Sequence, residues 1–89
     1  MTAEENSIVD LSESGVCIKE NKQRSADSPV RVRINELEIP GRVVYSKELS
    51  TGSYRTGIEF KETEQKREKI AGVVDKYSKG VSISGAVIE

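Results

Sequence analysis

Residues 30–34 read Val-Arg-Val-Arg-Ile, and this strict two-residue alternation constrains the fold more than any other feature of the chain. A period of two puts Val30, Val32 and Ile34 on one face of an extended strand and Arg31 and Arg33 on the other. The bias is general, since 18 of the 31 hydrophobic residues are Val or Ile, against three Leu and one Met. Such β-branched side chains pack well on a pleated surface and lose rotamers in a helix, so a strand-rich fold is expected. At 89 residues the chain has room for a single domain, expected to span 1–89. A domain this small buries a modest share of its surface, and its core will be thin.

The same reading extends along the sequence. Ile8-Val9-Asp10-Leu11 is a short apolar stretch that stops at Ser12-Glu13-Ser14-Gly15, a cluster of turn formers; Val16-Cys17-Ile18-Lys19-Glu20 then resumes the strand pattern. Residues 21–29 are polar and read as a loop. Leu37 and Ile39 continue the alternation begun at Val30. Pro40-Gly41 marks a bend or an edge position, because proline cannot donate to a central ladder. Arg42-Val43-Val44-Tyr45 carries the strand on toward a turn at Ser50-Thr51-Gly52-Ser53, and Tyr54 to Phe60 closes the series with Ile58 and Phe60 on one face.

The period then changes. Residues 61–79 place Ile70, Val73, Val74 and Tyr77 at spacings of three or four, the apolar stripe of one helix. Glu62 and Lys66 are an i,i+4 pair in the favourable order, worth about 0.3 kcal/mol, and Gly80 is placed as a C-cap. The charge run at 62–69 reads as the solvated face of that helix. Residues 81–88 alternate again, as a late strand or a flexible end, and as a strand they offer addition to a neighbour's sheet edge, which makes a homodimer one expectation. Antiparallel strands followed by one helix cannot build a doubly wound sheet. They are expected to curl into a small barrel over about 7–60, with the helix at about 62–79 covering one opening and a tail at 80–89.

Several chemistries are excluded. The chain has no His, so Ser-His-Asp and Cys-His catalysis cannot be assembled within it. Its one cysteine, Cys17, makes neither an internal disulfide nor a paired-cysteine zinc site, and no metal site is expected. No apolar run suffices for a membrane span and no basic-then-apolar start suggests a signal peptide, so a cytoplasmic location is expected. Residues 1–20 hold one Lys against five acids, while 21–60 hold seven bases against five acids. With no basic stripe, four aromatic residues and no Trp, the chain does not read as a DNA or RNA binder. An enzyme is disfavoured, and a small anionic ligand needs only a local cluster of donors.

One constellation can carry recognition. Asp10-Leu11-Ser12-Glu13-Ser14-Gly15 sets a carboxylate, hydroxyls and a glycine on a tight connection between two strands. A carboxylate accepts two parallel N–H bonds from a planar partner, a hydroxyl donates to phosphate, and glycine lets a ligand approach the backbone. Asp10 and Glu13 do not read as a catalytic acid pair, since nothing in the sequence points to a pocket that would split their pKa values.

Taken in order, this loop, Gly41-Arg42-Val43-Val44-Tyr45, Tyr54-Arg55-Thr56-Gly57-Ile58-Glu59-Phe60 and a following helix resemble the PilZ domain of bacteria, over residues 7–78. The resemblance implies a six-stranded antiparallel β-barrel of the split-barrel type closed by a C-terminal α-helix, and a non-enzymatic receptor for the second messenger cyclic di-GMP, without a cofactor. Carried over by position, Asp10 would accept from a guanine edge, Ser12 would bond phosphate or base, and Gly15 would let the loop close on the ligand. The family's other half-site, an Arg-x-x-x-Arg element upstream of the loop, is not matched: nine residues precede Asp10 and none is Arg or Lys. Three explanations stand side by side. An upstream segment bearing the arginines is missing from the sequence; the domain ignores the nucleotide and works by contact with a bacterial protein partner; or Arg31, Arg33, Arg42 and Arg55, or a second subunit, supply the phosphate contacts. In the binding case, ligand ordering of the N-terminal segment would alter a surface seen by a partner.

Overall fold

The alternating segment forms the strand that the pattern calls for: Val32 and Ile34 are buried, and Arg31 and Arg33 face solvent. The computed structural model describes residues 7–61 and 64–88. It comprises β1 (Ser7–Leu11), β2 (Gly15–Glu20), β3 (Pro29–Ile34), β4 (Leu37–Ser50), β5 (Ser53–Phe60), α1 (Glu64–Ser78) and β6 (Gly85–Ile88). The six strands make one antiparallel sheet in the order β1-β2-β5-β4-β3-β6. The late alternation at 81–88 thus ends in a strand, which pairs with β3 of its own chain. No helix among the described residues is long and apolar enough to cross a membrane.

The expected closed barrel is corrected to an open half-barrel. β1 and β6 are the outer strands and share no ladder. β6 has four residues and β1 five, one of them spent in a bulge, so neither offers a run long enough to zip the sheet shut. Side chains fill the seam instead: a Cβ added at Gly85 would lie 2.9 Å from Cγ1 of Ile8. The helix spans the open side. Lys66 Nζ donates to the Glu38 carbonyl of β4 at 2.7 Å, and eleven residues on, a rise of about 16 Å, the Tyr77 hydroxyl donates to the Val9 carbonyl of β1 at 3.0 Å. Ile70 is 1% exposed, and Val73, Val74 and Tyr77 pack against the core of Leu11, Val16, Ile18, Val32, Ile34, Ile39, Ile58 and Phe60. The stripe read from the sequence is therefore the buried face. Glu62 lies outside the described residues, and with it the expected pair to Lys66.

Two boundaries differ from the sequence reading. Residues 30–39 are not one run, because Asn35-Glu36 forms a two-residue turn between β3 and β4, with Asn35 at φ 54 and tied to Ser84 at the approach to β6. Pro40-Gly41 is neither a bend nor an edge but lies inside β4. The Pro40 carbonyl accepts from Lys61 N at 2.8 Å, just past the end of β5, so the face of Pro40 that lacks a donor is the one where the neighbouring strand has run out. Gly80 caps α1 as expected, at φ 81, with Val81 N bonded to the Lys76 carbonyl and Gly80 N to that of Tyr77.

Three β-bulges set the phase of the sheet. Register shifts make Val9 in β1 and Val44 and Leu49 in β4 the extra residues. These three account for most of the exposed large hydrophobics, which are Val9, Val44, Tyr45, Leu49 and Val81.

Candidate functional site

The bulges decide what faces solvent. Ile8 points into the half-barrel, and unbroken alternation would point Asp10 inward as well and Leu11 outward. The extra residue at Val9 reverses this, so Asp10 pairs with Cys17 on the outer face and Leu11 is buried. Val44 does the same for its neighbour: Val43 is buried, while Tyr45 emerges on the outer face opposite Gly57. Asp10, Cys17, Gly57 and Tyr45 thereby form one cross-strand row over β1, β2, β5 and β4.

Gly57 is the low point of that row. A Cβ there would overlap the Tyr45 ring, so the ring lies down across the glycine and brings its hydroxyl to 3.3 Å from Cys17 Sγ. A glycine inside a strand marks such a close approach. The hydrogen bond with Cys17, followed by partial burial, raises the phenol above its ordinary pKa of 10.0; the charge of Arg55 opposes the shift and that of Asp10 adds to it.

The β1–β2 corner stands beside this row and is already folded. Ser12 N and Oγ both reach the Gly15 carbonyl, at 2.9 and 3.3 Å, and Ser12 Oγ lies 3.1 Å from Ser14 Oγ. Asp10 Oδ1 accepts from Leu11 N at 3.0 Å, and Phe60 N donates to the Ser14 carbonyl at 2.9 Å, which fastens the corner to β5. Gly15 has its own packing reason, since a Cβ there would collide with the Ile58 carbonyl. Asp10, Ser12 and Gly15 line one shallow depression of about 220 Å³ with Val44, Tyr45 and Gly57. The sequence named the first three. It missed the aromatic wall, for which the interior Gly57 was the available signal.

The candidate arginines separate into two kinds. Arg31 and Arg33 of β3 both reach Glu38, at 3.5 and 3.7 Å, and line no part of the depression. Arg42 is held by Asp27 at 3.0 Å and Glu59 at 3.3 Å. Arg55 makes no ion pair among the described residues and lies two positions from Gly57 on the same strand face. Asp10 likewise has no cationic partner among them. A larger hollow of about 330 Å³ lies under residues 22–30 but contains none of the candidates. Its Arg24 is committed to a bidentate pair with Glu20, at 2.8 and 3.0 Å. Among the described residues no three His, Cys, Asp or Glu side chains gather as metal ligands.

No curated protein and no solved structure matches the chain. The family model of the PilZ domain matches residues 3–76, from ahead of β1 through most of α1. That match takes in the corner, all of β1 to β5 and the closing helix in the expected order, so the chain belongs to the PilZ domain family.

Proposed function

We propose that this domain is a cyclic di-GMP-binding signalling module, non-enzymatic and cytoplasmic, whose contact surface is the depression between the β1–β2 corner and Tyr45. The observation that supports this reading is the convergence of Asp10, Ser12 and Gly15 on a single depression walled by an exposed aromatic ring. Asp10 has a carboxylate oxygen to offer the N–H edge of a guanine, which a planar base presents as parallel donors. Tyr45 offers a face on which a base stacks, an interaction worth about 1–3 kcal/mol. Ser12 already bonds its own turn, so its hydroxyl would share rather than switch partners. Because the corner is prefolded, binding spends little on ordering it.

Calorimetric titration of the chain with cyclic di-GMP tests the reading. Heat saturating at one ligand stoichiometry, weakened by Asp10→Ala and Ser12→Ala, supports it. A chain that gives no heat at about 100 μM protein, a concentration at which a micromolar dissociation constant would be obvious, is not a direct receptor.

A second reading, nucleotide-independent contact with a protein partner, is favoured by a different observation. Val44, Tyr45 and Leu49, close together on the outer half of β4, stay 50%, 43% and 46% exposed, and an apolar patch of this kind marks a contact surface. A pull-down whose yield is indifferent to cyclic di-GMP but lost with Val44→Ser would favour it.

A further inference from the structure

Three cations face one another in register on three neighbouring strands. Lys19 of β2 is opposite Arg55 of β5, and Arg55 is opposite Lys47 of β4. All three are exposed, and none makes an ion pair among the described residues. Strands lie about 4.8 Å apart, so the row is about 10 Å long.

Placing like charges directly opposite each other costs a sheet stability. Exposed lysines often repay that cost by guarding an edge strand against pairing. That explanation fails for Lys19 and Arg55, which have a ladder partner on either side; Lys47 lies past Arg42, where the β3 ladder on β4 ends. The other arginines of the outer face show the ordinary solution, each with a carboxylate beside it. The row keeps its repulsion unrelieved.

Its position gives the repulsion a use. Two residues along the same strands, on the same face, lie Cys17, Gly57 and Tyr45, the floor and wall of the depression, about 7 Å away at the usual rise. Asp10 stands at one end of that floor and the cations run along its side. A ligand lying along that floor from Asp10 to Tyr45 has the cations along one side.

We infer that Lys19, Arg55 and Lys47 form a phosphate-holding row for a phosphodiester nucleotide seated in the depression, an inference that rests on the ligand reading above. The row supplies, from within the sheet, the positive charge that the acidic corner lacks. It also explains why Arg31, Arg33 and Arg42 are not needed for the purpose.

The test is titration of the full chain with cyclic di-GMP at low and physiological salt. Arg55→Gln and Lys47→Gln are each expected to weaken binding about tenfold and to flatten its salt dependence, while Arg31→Gln changes neither. The same two variants are expected to melt no lower than the wild type, since they relieve repulsion at exposed positions; a lowered Tm would show that the row stabilises the fold and would overturn the argument. If the wild type binds and both variants bind as tightly, the row is refuted while the ligand reading stands. If the wild type does not bind, the ligand reading fails and inorganic tripolyphosphate becomes the probe. Amide NMR shifts confined to Lys19, Lys47, Arg55 and their neighbours would then support an anion site, and shifts absent or spread over all lysines would overturn it.

Discussion

The Tyr77 hydroxyl donates to the Val9 carbonyl at 3.0 Å, joining the last turn of the helix to the extra residue of the β1 bulge. A bulge leaves a backbone group out of the ladder, and the phenol supplies its partner. Tyr77→Phe removes that bond and keeps the ring packed, so the expected loss is about 1 kcal/mol or less by urea denaturation. Hydrogen exchange should quicken in β1 and stay unchanged in β4 and β5. Equal quickening everywhere would mean that the bond does not act locally.

Glu20 and Arg24 form the most buried ion pair of the described residues, with side chains 3% and 9% exposed, and Thr56 donates to the same carboxylate at 2.5 Å. Removing one partner strands the other charge out of water. Glu20→Ala is expected to cost about 3–5 kcal/mol, a large share of what a domain of this size possesses. The double change Glu20→Met with Arg24→Leu should recover most of the loss in the same denaturation experiment. If Glu20→Ala alone proves neutral, the pair is solvated in solution.

Gly57 and Tyr45 should be strongly coupled. Gly57→Ala forces the ring off its seat and is expected to destabilise by about 1–3 kcal/mol, whereas in a Tyr45→Ala background the same change should cost much less. A double-mutant cycle reads the coupling directly. Additive effects would show that the ring does not rest on the glycine.

Tyr45 titrates above 10.0, chiefly through its hydrogen bond with Cys17. A group whose folded pKa exceeds its unfolded value holds its proton more tightly when folded. Its stabilising contribution is therefore complete below about pH 10 and fades as the pH rises through the folded value. Spectrophotometric titration of the phenols, with Tyr45→Phe used to assign the signal, should show this residue moving down toward 10.0 in Cys17→Ala. An unmoved curve would remove Cys17 as the cause.

What the sequence disclosed follows the physics of repeating patterns. Val30, Val32 and Ile34, the helix stripe ending at Tyr77, and Gly80 were all readable because each is fixed by a local period or a backbone preference. The Asn35-Glu36 turn was hidden, since apolar residues at Ile34, Leu37 and Ile39 sit on either side without a glycine to punctuate them. The bulges at Val9 and Val44 were hidden for a deeper reason: Ile8-Val9 and Val43-Val44 are apolar doublets, and only the partner strand's register tells which member is extra. That register is also what turns Asp10 and Tyr45 to one face, so half of the candidate site could be named from its loop while its aromatic wall could not. The Glu20–Arg24–Thr56 network left one legible trace, a charged residue at the inward phase of the Val16, Ile18, Glu20 alternation.

β1 and β6 share no ladder and meet where Ile8 packs at Gly85, while the Tyr77 phenol ties β1 to the helix. β1 is laddered on one side only, and it is the strand that carries Asp10. A ligand gripping that carboxylate would brace an outer strand of the sheet, so occupancy would reach a neighbouring protein as stiffness rather than as a change of shape.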